Sequence, residues 1–205
     1  MHCPACQHAI SEAAVACVHC GFTFAALDKF LGMAPLIDST FLDKARVLTK
    51  GDRKLLSREV EHFERRFPQC SIIIATVEPP ENVPLSGYVY WAFNRNQAGS
   101  ALEKAGANLQ IMIAIQPSAG RAAATIGYGL EPFILETHLR EALTAGESEL
   151  AEGRWAEGLR LILEKMSEIF TGVAESLPEA LGFEQEALYS PDQLTTQPRH
   201  HAWSY

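Results

Sequence analysis

Ser71-Ile72-Ile73-Ile74-Ala75-Thr76-Val77 is a β-branched run with no alternation of apolar and polar residues. A strand with one wet face alternates; a strand apolar along its whole length is covered on both faces. Cys70 leads into this run and Glu78-Pro79-Pro80 closes it. Leu109 to Ile115 is a second run of the same kind, followed by the turn Pro117-Ser118-Ala119-Gly120. Arg121 to Ile126 is then predicted to return as its antiparallel partner. Strands that are apolar on both sides require helices on both sides.

The flanking sequence supplies them. Thr49 is an N-cap with Asp52 three residues on, and Leu56, Val60, Phe63 and Phe67 follow at helical spacing until Pro68 stops the helix. Residues 79–85 read as a loop, Ser86 to about Gln97 as a short aromatic helix, and Gly99 to Asn108 as a second loop. Gly127-Tyr128-Gly129-Leu130-Glu131-Pro132 closes the returning strand and is predicted to open a helix over roughly 131–144. Another helix is expected over 147–174, where Leu159, Ile162, Leu163, Met166, Phe170 and Val173 form a core stripe, with Gly153 and Gly158 marking where its start can break. The predicted fold class is α/β: an α/β/α sandwich with a small mixed sheet flanked by helices.

Four of the five cysteines stand outside this pattern, as Cys3-Pro4-Ala5-Cys6 and Cys17-Val18-His19-Cys20. Two Cys-x-x-Cys knuckles separated by ten residues supply four thiolates, the ligand set of a closed structural zinc site. Gly21 follows the second knuckle, where a positive φ turns backbone N–H groups towards the sulfurs; Gln7 holds that place after the first. So short a segment buries no core, so the metal supplies its folding free energy. A redox pair is disfavoured, because residue 3 leaves no room for a preceding strand. Cys70, at the head of an apolar run, reads as a buried and unreactive thiol. The expected organisation is a zinc-ribbon-like module over 1–28, an α/β/α domain over 36–175 and a tail over 176–205. The tail carries His200, His201, Trp203 and Tyr205.

Lys and Arg total 17 against 25 Asp and Glu, a formal net charge of −8. Residues 1–28 contain no Lys or Arg at all, so the cysteine module lacks the electrostatic footprint of a nucleic-acid reader. No apolar run is long enough for a transmembrane helix, and Met1-His2-Cys3-Pro4 opens no signal peptide. The expectation is a soluble cytoplasmic protein. Tyr88, Tyr90, Trp91 and Phe93 read as core under a loop, since base stacking calls for interleaved cations and only Arg95 is near.

Four blocks resemble the TPM domain family: Phe41-Leu42-Asp43-Lys44-Ala45-Arg46-Val47-Leu48-Thr49, residues 70–77, Gly127-Tyr128-Gly129-Leu130-Glu131, and Glu152-Gly153-Arg154-Trp155-Ala156-Glu157-Gly158-Leu159. Together they span about residues 38–172. The resemblance implies helices on a sheet, divalent-cation binding through loop carboxylates, and phosphatase activity as in some plastid members; other members resemble assembly factors or accessory subunits. It points to Asp43, Asn108, Glu131 and Glu136 as a divalent or phosphate site for Mg or Ca. This chain departs from the family pattern at Ala107-Asn108-Leu109, where Asp-Asn-Gly is common. It departs again at Arg46, where glycine is common, and at Glu136, where Asp is common.

Each site residue also has a structural role to weigh. Asp43 can bond to nearby backbone N–H groups, and Glu131 can favour the first turn of a helix. Gly127 and Gly129 can simply permit a turn. The preferred reading is a non-enzymatic scaffold with a protein partner, built from a structural zinc module and a TPM-like domain. The alternative is a metal-dependent phosphomonoester hydrolase.

Overall fold

The computed structural model describes residues 3, 6, 8, 9, 11, 15–37, 39–95 and 108–180. Most of the loop expected over 99–108, and the tail from residue 181 on, lie outside these residues. The elements are α1 (Phe24–Leu31), β1 (Phe41–Asp43), α2 (Lys50–Arg66), β2 (Ser71–Thr76), α3 (Leu85–Arg95), β3 (Gln110–Gln116), β4 (Arg121–Ile126), α4 (Glu136–Ala151) and α5 (Trp155–Ala180). The four strands lie in the order β1-β2-β3-β4. β1, β2 and β3 are parallel, with Asp43 opposite Thr76 and Thr76 opposite Ile115. β4 turns back antiparallel, with Ile126 opposite Ile111.

The two apolar runs are central strands, and their alternate residues feed two cores. Ile72, Ile74, Ile111, Ile113 and Ile115 join one cluster with α2, α4 and α5. Ile73, Ala75, Met112 and Ala114 join the other with Val89, Trp91 and Phe93 of α3. The sheet is therefore sandwiched between helical layers. Thr49 caps α2 as expected: its side chain accepts the Asp52 N–H, and Asp52 accepts the Thr49 N–H in return. Phe63 stacks edge-on against Phe170 of α5 at 5.1 Å, tying α2 to the opposite end of the chain.

The structure departs from the sequence reading, or adds to it, at five points. Phe41-Leu42-Asp43 is a third parallel strand rather than a lead-in to α2. Phe24–Leu31 is a helix, capped by the Thr23 side chain and ended at Gly32 with φ 76°. Residues 127–135 form successive turns, and the helix begins at Glu136 rather than Glu131. Pro132 disfavours helical geometry at Glu131, so the favourable first-turn charge falls to Glu136. The break between the last two helices lies at Glu152–Arg154, around Gly153 with φ 76°, one of the two glycines marked as a possible break, while residues 145 and 146 are helical. Finally, α5 runs to Ala180, with Pro178 in its last turn, where a single backbone bond is forfeited.

α1 belongs to the second layer. Leu27, Leu31 and Ala34 pack against that core, and Ile37 is buried in it. Asp28 accepts the buried Trp91 indole N–H at 2.8 Å and both arms of the Arg95 fork, at 3.0 and 2.6 Å. The indole bond, with Arg95 beside it, holds the Asp28 carboxyl below the ordinary aspartate value.

Candidate functional site

The two knuckles are built alike. Cys3 N–H donates to the His8 carbonyl at 2.8 Å, and Cys17 N–H donates to the Phe22 carbonyl at 2.9 Å, five residues on in each case. Gly21 takes φ 70° and returns its N–H to the Cys17 carbonyl, the conformation expected for that glycine. The His8 and His19 rings stack across the module at 4.1 Å. Cys3 and Cys17 are buried, and all four thiols are free.

The four sulfurs fit one tetrahedral ion. Cys3 and Cys20 Sγ are 3.7 Å apart, Cys6 and Cys17 Sγ are 3.6 Å apart, and all four lie within 4.8 Å of one another. A metal–sulfur bond of 2.3 Å, the value for zinc, gives a tetrahedron with edges of about 3.8 Å. A disulfide requires about 2.05 Å, so these pairs are not bridged. Hydrogen bonding from the Cys20 backbone pulls the Cys17 thiol down to about 6 against the opposing effect of burial, with help from the His19 backbone. Against hydrogen bonding from the backbone, burial and the neighbouring sulfurs help push the Cys6 and Cys20 thiols the other way, so protonation at one sulfur depends on the others. With four protein donors the first shell is complete, so the ion would be structural.

The other candidates are not gathered in this way. Asp43 ends β1, where the chain leaves β1 for one face of the sheet and β2 for the other; such divergence opens a crevice in α/β sheets. Here the crevice is closed by its own polar groups. Asp43 Oδ1 accepts the Val47 N–H at 3.1 Å and the Thr76 hydroxyl at 2.5 Å, while Oδ2 accepts from Arg53 at 2.6 Å. Its side chain is 3% exposed. Thr76, fully buried, also accepts the Ala45 N–H at 3.2 Å. Arg46, where the family often has glycine, is the one non-glycine among the described residues with positive φ, at 57°. Thr76 and Arg53, which fix Asp43, went unnoticed in the sequence. The spacing Asp43-x9-Arg53, reaching from a strand end into a capped helix, was the available signal for one of them.

Asn108 lies at the opposite end of the sheet, ahead of Gln110. Gln110 and Ile115 are five residues apart along β3, roughly 16 Å at about 3.3 Å per residue. Oxygen ligands of one hard cation lie within about 2.6 Å of it. Asp43 therefore cannot share an ion with Asn108. The Asn108 side-chain oxygen accepts the Gln110 N–H at 3.0 Å, and its carbonyl accepts the Gly129 N–H at 2.9 Å. This docks the Gly127-Tyr128-Gly129 turn on Asn108 so closely that a Cβ at Gly127 would stand 2.3 Å from the Asn108 carbonyl oxygen. Glu131 follows this turn and is exposed. Burial is the first reason the nearby Tyr90 phenol is raised, with the Tyr128 contact and the Glu131 charge adding to it. Glu136, also exposed, pairs with Arg140 at 2.7 Å. Among the described residues, the four cysteines are the only group of three or more His, Cys, Asp or Glu side chains placed to hold a metal ion.

Cys70 is 6% exposed, and burial pushes its thiol up to about 11, as expected for an inert cysteine. Trp91 and Phe93 are core, Tyr88 and Tyr90 half-buried beside it. No helix among the described residues is long and apolar enough to cross a membrane.

The family description "TPM domain" matches residues 41–169. Among solved structures, the chain is similar to the N-terminal domain of a protein from P. gingivalis, at 18% identity over 67% of this chain and 87% of that one, with a TM-score of 0.56. It is also similar to the BA42 protein of the psychrophilic bacterium Bizionia argentinensis, at 13% identity over 62% of this chain and 83% of that one, with a TM-score of 0.50. At such identities the likeness concerns the fold alone. No curated protein matches. Because the family match spans more than half of the chain, the protein belongs to the TPM domain family, and it carries a four-cysteine cluster ahead of that domain.

Proposed function

We propose that this chain is a zinc-binding interaction protein, in which a structural zinc module precedes a TPM domain that acts as a scaffold for a protein partner and not as a hydrolase. The observation that carries this reading is the contrast between the two donor sets. Cys3, Cys6, Cys17 and Cys20 converge at tetrathiolate spacing, whereas Asp43 is separated from Asn108 by the length of a strand and is fully hydrogen-bonded. Zinc on the four thiolates would supply folding free energy to a segment without a core; structural zinc in small modules contributes about 10–16 kcal/mol of apparent binding energy.

The interaction half of the reading is supported by exposed apolar side chains. Val15, Val18, Phe30, Met33 and Leu36 are all exposed, and all belong to the stretch between the first knuckle and β1. Five of the nine large apolar side chains exposed among the described residues lie in this stretch, and exposed apolar surface is what a contact site offers.

The test pairs metal analysis with an assay. Purified protein is expected to hold one zinc per chain and to show no hydrolysis of a generic phosphomonoester above background with added magnesium, calcium or manganese. Turnover that Glu131→Ala abolishes, with its circular dichroism unchanged, would make this an enzyme and overturn the scaffold reading.

A further inference from the structure

We propose that the metal centre and the second helical layer are mechanically linked, so that filling the four-cysteine site seats α1 on α3 through Asp28, and emptying it releases that contact. The inference rests on the reading that the cysteines hold zinc, and it concerns what the ion does to the TPM domain.

The linkage is short. Only Gly21 and Phe22 separate Cys20 from Thr23, whose hydroxyl accepts the Ala26 N–H at 3.0 Å and starts α1. Phe22 itself is fixed by its carbonyl, which accepts the Cys17 N–H at 2.9 Å. Cys20 and Thr23 are three residue steps apart, at most about 11 Å fully extended, so there is little slack between the second knuckle and the helix start. α1 has only eight residues, too few to persist as an isolated helix. It depends on what it touches at each end.

At its far side α1 presents Asp28, and this carboxylate is the acceptor for the indole N–H of Trp91, a side chain 1% exposed. Withdrawing Asp28 would leave a buried donor unsatisfied and cut both Arg95 bonds, a cost that ties α3 to the position of α1. Leu27, Leu31 and Ala34 move with the same segment, and Ile37 and Leu42 continue it into β1. Residues 22–37 and 39–43 thus belong to a strap that leads from the metal centre across the second face of the sheet to its edge strand. An ion that fixes one end of a strap favours the seated state, and linkage requires that the seated state favour the ion by the same factor.

The experiment uses full-length, nitrogen-15-labelled protein. The indole N–H resonance of Trp91 is assigned with Trp91→Phe and followed as bound zinc is stripped by a chelator. Zinc affinity is measured in parallel for wild type and Asp28→Asn by competition with a chromophoric chelator. The expected result is that stripping moves or broadens the Trp91 resonance while Trp155, at the start of α5, holds its position, and that Asp28→Asn weakens zinc binding at least about fivefold. Arg95→Gln, which removes the fork but keeps the indole bond, should weaken it in the same direction and serves if Asp28→Asn does not fold. An unchanged Trp91 resonance in stripped protein, or zinc affinities within twofold of wild type in both variants, would overturn the linkage while leaving the zinc site standing. Collapse of both indole signals together would also overturn it, since the chain would then be unfolding as a whole. Protein that holds no zinc at all would overturn this inference and the zinc reading with it.

Discussion

Gly146→Ala is expected to destabilise the protein although alanine is the better helix former. Propensity alone favours the substitution by about 1 kcal/mol. Gly146 lies where α4 crosses α5, and a Cβ there would stand 2.4 Å from the Gly158 carbonyl oxygen and 2.7 and 2.9 Å from Ile162 Cγ1 and Cδ1. Ile162 is fully buried and cannot retreat to solvent, and the carbonyl cannot move without its helix. Restoring ordinary contact with that carbonyl requires the helices to part by roughly 1 Å along a tightly packed seam. Overpacking of this kind costs about 1–3 kcal/mol and occasionally more. With backbone among the clashing atoms the upper end applies, leaving a net loss of about 2 kcal/mol after the propensity gain. That corresponds to about 4–8 °C in Tm for a chain of this size. Gly172→Ala is the matched control: it lies in α5 with nothing within 4 Å of its Cβ, so it should gain about 0.5–1 kcal/mol. Thermal and urea unfolding followed by circular dichroism, with zinc in excess, measures both. A Gly146→Ala protein as stable as wild type would refute the close-approach argument.

Asp43→Ala should lower stability by about 2–4 kcal/mol in urea titrations, because the buried Thr76 hydroxyl and the Val47 N–H lose their acceptor along with Arg53; a loss under about 1 kcal/mol would mean the crevice readjusts freely. Arg46→Gly should raise stability by about 1 kcal/mol by removing the left-handed strain at φ 57°, whereas Arg46→Ala should give no such gain. Asp28 has its carboxyl held below the ordinary 3.8, so its contribution is complete above pH 3.8 and is lost as acid carries the pH below that value, through the folded-state titration. Acid unfolding followed at Trp91 should show this component in wild type, and Asp28→Asn should lack it.

The central strands and α2 could be read directly because their signals are local: unbroken β-branched runs, and a capping box ahead of helical spacing. β1 carried no such signal. Three residues show no periodicity, and Phe41-Leu42-Asp43 becomes a strand only because β2 offers Ile74, Ala75 and Thr76 to pair with. α1 is marked in the sequence only by Thr23 and Gly32 at its ends, two isolated signals around eight residues. Glycine was half informative in the last two helices. Gly153, with φ 76°, is the break its sequence position suggested, whereas Gly158 stays helical because helix propensity is a weak prior and its crossing with Gly146 overrides it. The cysteine cluster was fully legible, since two knuckles constrain four sulfurs within a few residues. The carboxylate set was not. Which end of a sheet a loop emerges from depends on strand direction, and β4 running antiparallel carries the Gly127–Glu131 turn to the end away from Asp43.

The strand order has a topological consequence. The chain steps from β1 to β2 to β3 in one direction across the sheet, all three parallel, yet α2 covers one face and α3 the other. Two crossovers that step the same way on opposite faces are mirror-related in sense, so one of them is left-handed. About 98% of parallel crossovers are right-handed, because strand twist and helix hand cooperate only in that sense. The sheet therefore carries one crossover against the usual hand within a run of only three parallel strands.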